Sequence, residues 1–259
     1  MKLVFCGYGR AGQECLLSIL ASEKLSISEI LVFTHDKQEN REFIEFLKSI
    51  GMNFFFESVN SKMKLLKEFD PTIIVSAYYR FIIREEVLSL VEGKAINIHP
   101  SLLPKYKGCF SSAWALLNNE CETGITFHYM SKTIDEGNIL RQLRYRIKEF
   151  DTAYSLYHKL ISIAVANIVD VIVDVLVGAV GEKQYSLEDS YYKRALPFDG
   201  EILWRDNDQE FCERFIRAMY FPPYPFAKIR FEDKQVESFG SVNDFHDFLE
   251  KRGCDDICI

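Results

Sequence analysis

The sequence predicts an α/β fold with a doubly wound, mostly parallel sheet, followed by a smaller C-terminal domain or extension. In the first half of the chain, short apolar runs alternate with helical patterns, as parallel strands joined by crossover helices do. After Gly181 this alternation stops, and the composition becomes aromatic and irregular. We therefore predict a main domain at residues 1–184 and a smaller domain or extension at residues 185–259.

The parallel sheet is predicted from apolar runs at residues 2–6, 29–35, 52–57, 72–77 and 94–99. Helical patterns separate them at residues 11–22, 39–50, 61–68 and 84–91. Crossovers between parallel strands are right-handed, so the carboxyl ends of these strands share one edge of the sheet. In open sheets of this kind, ligands bind beyond that edge.

The middle of the chain changes pattern. Two longer strands are predicted at residues 124–130 and 138–147, with an antiparallel arrangement left open. The apolar run at 160–180 has the length and apolar character of a membrane span. Asn167, Asp170 and Asp174, however, interrupt it on one helical face. Carboxylates near the middle of a span are costly in lipid, so we predict an amphipathic helix packed on the sheet. A further helix is predicted near residues 209–219.

The amino-acid composition and the net charge exclude some classes of function. The chain has 259 residues, of which 48% are hydrophobic, so it can bury a substantial core. A net charge of −7 argues against binding that depends on broad phosphate neutralisation, and we predict no nucleic-acid partner. Seven cysteines without a C-x-x-C pair indicate reduced thiols in a cytoplasmic protein. The histidines do not fall at ligand spacing with these thiols, so no metal is predicted.

A glycine motif follows the first strand. Gly7, Gly9 and Gly12 form a G-x-G-x-x-G pattern, and Asp36 ends the second strand where a ribose-binding acid would sit. One interpretation is a dinucleotide site. The other is structural, because tight turns from strand to helix use glycine in any case.

Asn97, His99 and Asp135 form the candidate catalytic set. Each has an ordinary structural interpretation, as a turn residue, a strand-end histidine and a turn anchor. Together at strand ends they suit acyl transfer to an amine. A neutral imidazole accepts the amine proton, a carboxylate stabilises the imidazolium, and an amide donates to the oxyanion. No serine or cysteine with an obvious activating base lies nearby, which favours direct transfer.

The segments "NIHPSLLPKYKG" and "TGITFHYMSKTIDEGNIL" resemble the formyltransferases that use 10-formyltetrahydrofolate. The resemblance covers about residues 1–180. It implies a Rossmann-like formyltransferase core, with Asn97, His99 and Asp135 as the catalytic residues. It also implies a folate pocket lined by the segment "SAYYRFI", and the predicted contacts are Tyr78, Tyr79, Arg80, Phe81 and Ile82. Members of this family normally bind no dinucleotide, so the glycine motif then becomes incidental.

The C-terminal region distinguishes among the amines that this family formylates. Methionyl-tRNA formyltransferases carry a larger, basic C-terminal domain, whereas glycinamide ribonucleotide enzymes would lack most of residues 185–259. The segments "YYKRALPFDGEILW" and "RFIRAMYFPPYPFAKIRF" are similar to those of sugar N-formyltransferases. This implies a nucleotide-linked amino deoxysugar as substrate, with dTDP as the guessed carrier, and a product that enters cell-surface glycans. A methionyl-tRNA formyltransferase with a reduced C-terminal domain and a dinucleotide-binding protein remain the alternatives.

The substrate contacts are predicted from charge and aromatic character. Lysines beside the active strand end suit a diphosphate, for which Arg80 is another candidate, and aromatic side chains suit a nucleobase. The aromatic segment has an equally good interpretation as a packed turn. An exposed aromatic C-terminal region would also suit a homodimer. The predicted contacts are Ser101, Lys105, Lys107, Gly108, Tyr220, Phe221 and Tyr224.

Overall fold

A computed structural model describes residues 1–185 and 188–252. The first part of the chain forms β1 Lys2–Gly7, β2 Glu29–Phe33, β3 Phe54–Phe55, β4 Ile73–Ala77, β5 Ala95–His99, β6 Lys107–Gly108, β7 Glu122–Tyr129 and β8 Ile139–Arg146. Seven of these strands build one sheet in the order β3-β2-β1-β4-β5-β7-β8. The pairs from β3 to β5 are parallel, and β7 runs antiparallel to β5. The predicted doubly wound, mostly parallel sheet is confirmed.

The crossover helices follow the predicted order. They are α1 Gly9–Leu20, α2 Arg41–Ser49, α3 Met63–Phe69 and α4 Glu85–Leu88, followed later by α5 Ser111–Leu117 and α6 Ala153–Leu176. Short 3-10 helices lie at Gln38–Asn40, Val59–Lys62 and Ser89–Val91. The predicted strand at 52–57 contracts to two half-buried residues, because β3 is the edge strand of the sheet.

The structure divides into two compact units. Unit 1 contains residues 1–107, 124–144 and 160–190, and unit 2 contains residues 108–123, 145–159 and the chain from Tyr191 onward. Unit 2 therefore includes segments that precede residue 185 as well as the C-terminal region. In unit 1, Val4, Phe33 and Ile74 lie in the buried core around the parallel strands.

The C-terminal region is more regular than its sequence indicates. It contains β9 Tyr191–Tyr192, β10 Glu201–Leu203, α7 Gln209–Met219, β11 Ala227–Arg230, β12 Val236–Phe239 and α8 Val242–Arg252. Strand β11 pairs in parallel with β10 and antiparallel with β12. Its residues alternate between buried and exposed, a period-two signal that the neighbouring prolines and aromatics obscure. The helix predicted near residues 209–219 is α7, whereas the strands of this region and α8 were not predicted. Residues 253–259 lie outside the described residues.

The long apolar segment is the helix α6, as predicted, although it begins earlier. Two of its polar interruptions, Asn167 and Asp174, accept hydrogen bonds from Arg141 of β8 at 3.3 and 2.7 Å. The third, Asp170, pairs with Lys24 at 2.7 Å. Among the described residues, none of the helices combines the length and apolar character needed to cross a membrane.

The glycine motif packs α1 against β1. A Cβ atom at Gly12 would lie 2.9 Å from the backbone of Gly7, so a larger residue would force the helix away from the strand. The N–H of Gly9, a group that a pyrophosphate would use at a helix start, donates to Oδ1 of Asn40 at 2.7 Å. These contacts give the motif a structural role.

Candidate active site

Strand β5 carries two of the predicted catalytic residues on one face. Side chains alternate along a strand, so Asn97 and His99 share a face while Ile96 and Ile98 point into the core. In the antiparallel pairing with β7, Asn97 lies directly opposite His128. Cross-strand neighbours of this kind are close enough for their side chains to contact.

The ring of His99 has one defined tautomer. Its Nε2 lies 2.8 Å from the carbonyl oxygen of Tyr106. A carbonyl only accepts, so Nε2 carries the hydrogen, and Nδ1 holds the lone pair in the neutral ring. Nδ1 faces Oδ2 of Asp135 at 3.4 Å. Burial lowers the pKa of His99 below its ordinary value, although Asp135 raises it in part. The neutral form is therefore favoured near pH 7.

His128 is a site residue that the sequence analysis missed. Its Nδ1–H donates to the Tyr129 carbonyl at 2.8 Å, so Nε2 is an acceptor, and it lies 3.1 Å from Nδ2 of Asn97. Asn97 thus gives one amide hydrogen to His128 and keeps a second one for another acceptor. The pairing of β5 with β7 was the signal that would have revealed this contact.

Asp135 lies between the two imidazoles. Its carboxylate is 3.4 Å from His99 and 3.6 Å from Nε2 of His128, and its side chain is only 9% exposed. The residue adopts φ of +56°, which non-glycine residues seldom do. Gly137 follows in the same turn, where a Cβ would overlap the carbonyl of Tyr129. The structure therefore brings Asn97, His99 and Asp135 together in unit 1, as the sequence predicts.

The predicted folate segment follows β4. Tyr79 packs against His35 at a ring distance of 4.8 Å, and its hydroxyl accepts from the N–H of Val59 at 3.2 Å. Tyr78 has φ of +60°. Phe81 and Ile82 remain 42% and 63% exposed. This segment thus presents an apolar surface beside the partly buried Tyr79.

Arg80 has a distinct setting within that segment. Its guanidinium stacks on the ring of Tyr8 at 4.8 Å and donates to the Tyr8 hydroxyl at 2.9 Å. Its backbone N–H donates to Nε2 of the buried His35 at 3.0 Å. Both contacts of the guanidinium are with a neutral group. Tyr8 and His35 were not predicted, because their partners lie far away in the sequence.

The loop after β5 holds three of the predicted substrate residues in unit 1. Ser101 is fully buried, and its hydroxyl donates to the carbonyl of Lys105 at 2.6 Å. The ammonium of Lys105 pairs with Glu188 at 2.5 Å. Lys107 pairs with Glu136 at 3.2 Å and with Asp189 at 2.8 Å. Both lysines are already neutralised by carboxylates.

The remaining predicted substrate residues lie in unit 2. Gly108 belongs to the short strand β6, which pairs with β9. Tyr220 and Phe221 pack edge-on against Tyr154 at ring distances of 6.4 and 5.6 Å, and Tyr224 is 45% exposed. The packing of Tyr220 and Phe221 agrees with the interpretation of this segment as a packed turn. Tyr224 is the most exposed of the three predicted aromatic residues.

Thiols and metal ligands add no further site. Within the described chain, no group of three or more His, Cys, Asp or Glu side chains is arranged to hold a metal ion. Cys6, Cys15, Cys109, Cys121 and Cys212 do not form disulfide bonds. Cys254 and Cys258 lie outside the described residues.

Comparison with known proteins decides the family. A family model described as "Formyl transferase" matches residues 1–172, a range that includes the whole set around His99. The chain belongs to the formyl transferase family. The family resemblance stated from the sequence is thereby confirmed.

Relatives of this formyltransferase match most of the chain. It is 37% identical over 237 residues to a GDP-perosamine N-formyltransferase of Brucella melitensis biotype 1, which covers 90% of both chains. It is 31% identical over 261 residues to the bifunctional polymyxin resistance protein ArnA of Wigglesworthia glossinidia brevipalpis. That match covers 96% of this chain and 39% of ArnA. The predicted enzyme class, sugar N-formyltransferase, is confirmed.

Solved structures show the same fold. A 4-N formyltransferase of Francisella tularensis matches with a TM-score of 0.76 at 20% identity, covering 92% of this chain and 96% of that one. The N-formyltransferase of Helicobacter canadensis, in complex with folinic acid and dTDP-3-aminofucose, matches with a TM-score of 0.72 at 24% identity. It covers 88% of this chain and 83% of its own.

Proposed function

We propose that this formyltransferase moves a formyl group from 10-formyltetrahydrofolate to the amino group of a nucleotide-linked amino deoxysugar. One observation carries the proposal. A neutral histidine, a carboxylate and an oriented amide meet at the end of β5, in a chain that is 37% identical over 237 residues to a GDP-perosamine N-formyltransferase. Together these three side chains can promote the transfer of an acyl group to an amine.

His99 acts as the general base. Its Nδ1 lone pair is held in place by the Nε2 hydrogen bond to Tyr106, and burial keeps the ring neutral. When Nδ1 takes the proton of the attacking amine, Asp135 at 3.4 Å stabilises the resulting imidazolium. The charge produced by the proton transfer is thus matched by a carboxylate already in position. The bond between the formyl carbon and N10 of the donor then breaks, the imidazolium returns its proton to N10, and tetrahydrofolate leaves.

Asn97 stabilises the developing oxyanion. His128 accepts one of its amide hydrogens at 3.1 Å and thereby fixes the orientation of the amide. The second hydrogen is available for the oxygen of the acyl group under attack. A donor of this kind contributes about 3–4 kcal/mol to transition-state stabilisation in comparable sites.

The donor supplies the formyl group, and residues 78–82 are proposed to hold it. The exposed faces of Phe81 and Ile82 can cover a flat heterocycle, and Tyr79 beneath them is fixed by Val59 and His35. These residues fit a folate ring by their apolar character and their place at the carboxyl end of β4.

Two nucleotides, dTDP and GDP, are candidates for the carrier of the amino sugar. The sequence analysis favoured dTDP, whereas the relative at 37% identity is named for a GDP-linked sugar. Arg80 suits the diphosphate better than Lys105 or Lys107, because both lysines are paired with carboxylates, whereas the guanidinium of Arg80 contacts the ring and hydroxyl of Tyr8 among the described residues. Tyr224 is the proposed nucleobase contact in unit 2. We further propose a cytoplasmic homodimer whose product enters a cell-surface glycan.

The test is an acceptor screen with purified enzyme and 10-formyltetrahydrofolate. GDP-perosamine, dTDP-linked 3-amino and 4-amino 6-deoxyhexoses, and charged initiator tRNA are compared at equal concentration. Formylation of one nucleotide sugar, abolished by His99→Ala, is expected. Formylation of the tRNA alone would overturn the proposal in favour of a tRNA enzyme.

A further inference from the structure

The turn that carries Asp135 is held by a side chain from the segment after α6. Nε2 of Gln184 donates hydrogen bonds to the carbonyl oxygens of both Asp135 and Gly137, each at 2.8 Å. An amide nitrogen carries two hydrogens, so each carbonyl receives one. Gln184 therefore bridges the two ends of the three-residue turn.

The turn requires such support because of its backbone. Asp135 adopts φ of +56°, a conformation that costs a non-glycine residue free energy and persists only where its surroundings impose it. Gly137 is pressed against Tyr129, and Lys107 binds Glu136 from another side. Each residue of the turn therefore has a contact that holds it in place. The hydrogen bond from Gln184 is made to the backbone of Asp135 itself.

The same segment of the chain also holds the loop that orients His99. Ser190 accepts the N–H of Tyr106 through its hydroxyl at 2.8 Å and the N–H of Lys107 through its carbonyl at 2.9 Å. Tyr106 in turn receives the Nε2–H of His99. Before Gln184, Glu182 pairs with Ile139 through two backbone hydrogen bonds of 2.7 and 2.8 Å. Gln184 therefore extends from a backbone pairing that fixes its position.

We infer that Gln184 is a positioning residue for Asp135, which keeps the carboxylate between the rings of His99 and His128. The inference rests on the proposed catalytic role of Asp135. The hydrogen bonds that Gln184 makes with described residues go to backbone carbonyls of the turn, so it acts through Asp135 and not on the substrate. Its loss lowers the rate of transfer more than the binding of either substrate.

The test substitutes Gln184→Met, which keeps the length of the side chain and removes both donors. With GDP-perosamine and 10-formyltetrahydrofolate, we expect kcat to fall roughly 10- to 100-fold, the order that a misplacement of about 1 Å produces, with little change in KM. The acid limb of the pH profile is expected to move to lower pH, because a displaced carboxylate no longer favours protonated His99. Gln235→Met, at an exposed position in unit 2, is the matched control.

A second readout needs no substrate. An NMR titration of the His99 imidazole should show a lower midpoint in Gln184→Met than in the wild type. An unchanged midpoint together with an unchanged pH profile would overturn the inference. Asp135→Asn is measured in parallel: if it is inactive while Gln184→Met is normal, only the inference fails, whereas an active Asp135→Asn overturns the proposed mechanism.

Misfolding is controlled with a second variant. If Gln184→Met loses cooperative thermal unfolding, Gln184→Lys is used, because its ammonium can still donate to both carbonyls. A rate closer to wild type in Gln184→Lys than in Gln184→Met supports the donor role. A wild-type unfolding transition with equally low rates in both variants contradicts it.

Discussion

Nδ1 of His99 lies 3.4 Å from Oδ2 of Asp135, and Nε2 of the same ring donates to the carbonyl of Tyr106. The two contacts assign different tasks to the two nitrogens. One nitrogen fixes the ring, and the other faces the carboxylate that stabilises its protonated form. This arrangement is the one that the proposed role of His99 as general base requires.

Asp135→Asn should change the pH dependence of the enzyme as well as its rate. The carboxylate raises the pKa of His99 against the effect of burial, so the amide should let that pKa fall further. The base then stays neutral to lower pH, and the acid limb of kcat/KM moves down. The plateau should fall roughly 10²- to 10⁴-fold.

The measurement is kcat/KM across pH for wild type and Asp135→Asn. Asp206→Asn, at an exposed position in unit 2, controls for the chemical change. An acid limb that stays in place would show that Asp135 does not influence the base.

Asn97 and His128 should behave as one unit in a double-mutant cycle. Asn97→Ala removes the oxyanion donor and should lower kcat about 10²- to 10³-fold. His128→Ala leaves the amide of Asn97 in place and removes the acceptor that orients it at 3.1 Å, so its effect should be smaller. In the double variant, kcat should fall no further than in Asn97→Ala, because the contact is already lost. Additive losses would mean that His128 acts separately.

Arg80→Gln should weaken binding of a nucleoside diphosphate more than Lys105→Gln does. Within the part of the chain that the structure describes, the guanidinium of Arg80 contacts Tyr8, whereas Lys105 is paired with Glu188 at 2.5 Å. Loss of a charge-assisted hydrogen bond of about 1.5–3 kcal/mol corresponds to roughly 10- to 100-fold in Kd. Calorimetry with GDP and dTDP gives the comparison. A larger effect from Lys105→Gln would assign the diphosphate to the lysine loop.

Asp151 should be the most pH-sensitive contributor to the stability of unit 2. The residue is fully buried and accepts hydrogen bonds from the N–H of Lys148 at 2.9 Å, from Ser155 at 2.7 Å and from Lys159. Burial alone would raise its pKa, but these donors lower it below the ordinary value of 3.8. Asp151→Asn should therefore reduce the free energy of unfolding at pH 7 by about 2–4 kcal/mol.

The sign of the pH effect follows from the lowered pKa. The ionised carboxylate of Asp151 stabilises the folded state. This contribution is complete at pH values above the pKa that Asp151 has in the unfolded chain, and it disappears as the pH falls through the lower pKa of the folded state. Urea unfolding at neutral and acidic pH should show the difference between wild type and Asp151→Asn shrinking in acid. Asp247→Asn, exposed on α8, should unfold like the wild type. A difference that does not vary with pH would contradict the assignment.

Much of the fold was readable along the chain. The strands of the parallel sheet and the helix α7 were predicted at or near their observed places, because buried strands and amphipathic helices leave apolar patterns of different period. The catalytic candidates were found because Asn97 and His99 follow a strand directly and Asp135 stands in a resembling motif. Strands β11 and β12 were missed, since four alternating residues beside prolines and aromatics give a weak signal.

Other features depend on contacts between residues far apart in sequence. Nothing near His128 in the chain indicates that it orients Asn97, because that contact comes from the antiparallel pairing of β5 with β7. The bond from Gln184 to the turn of Asp135 arises only when the segment after α6 returns to β8. The pairing of Lys107 with Asp189 is equally invisible before folding. Local periodicity specifies which elements form, whereas tertiary packing determines the ionisation, orientation and partners of the side chains they carry.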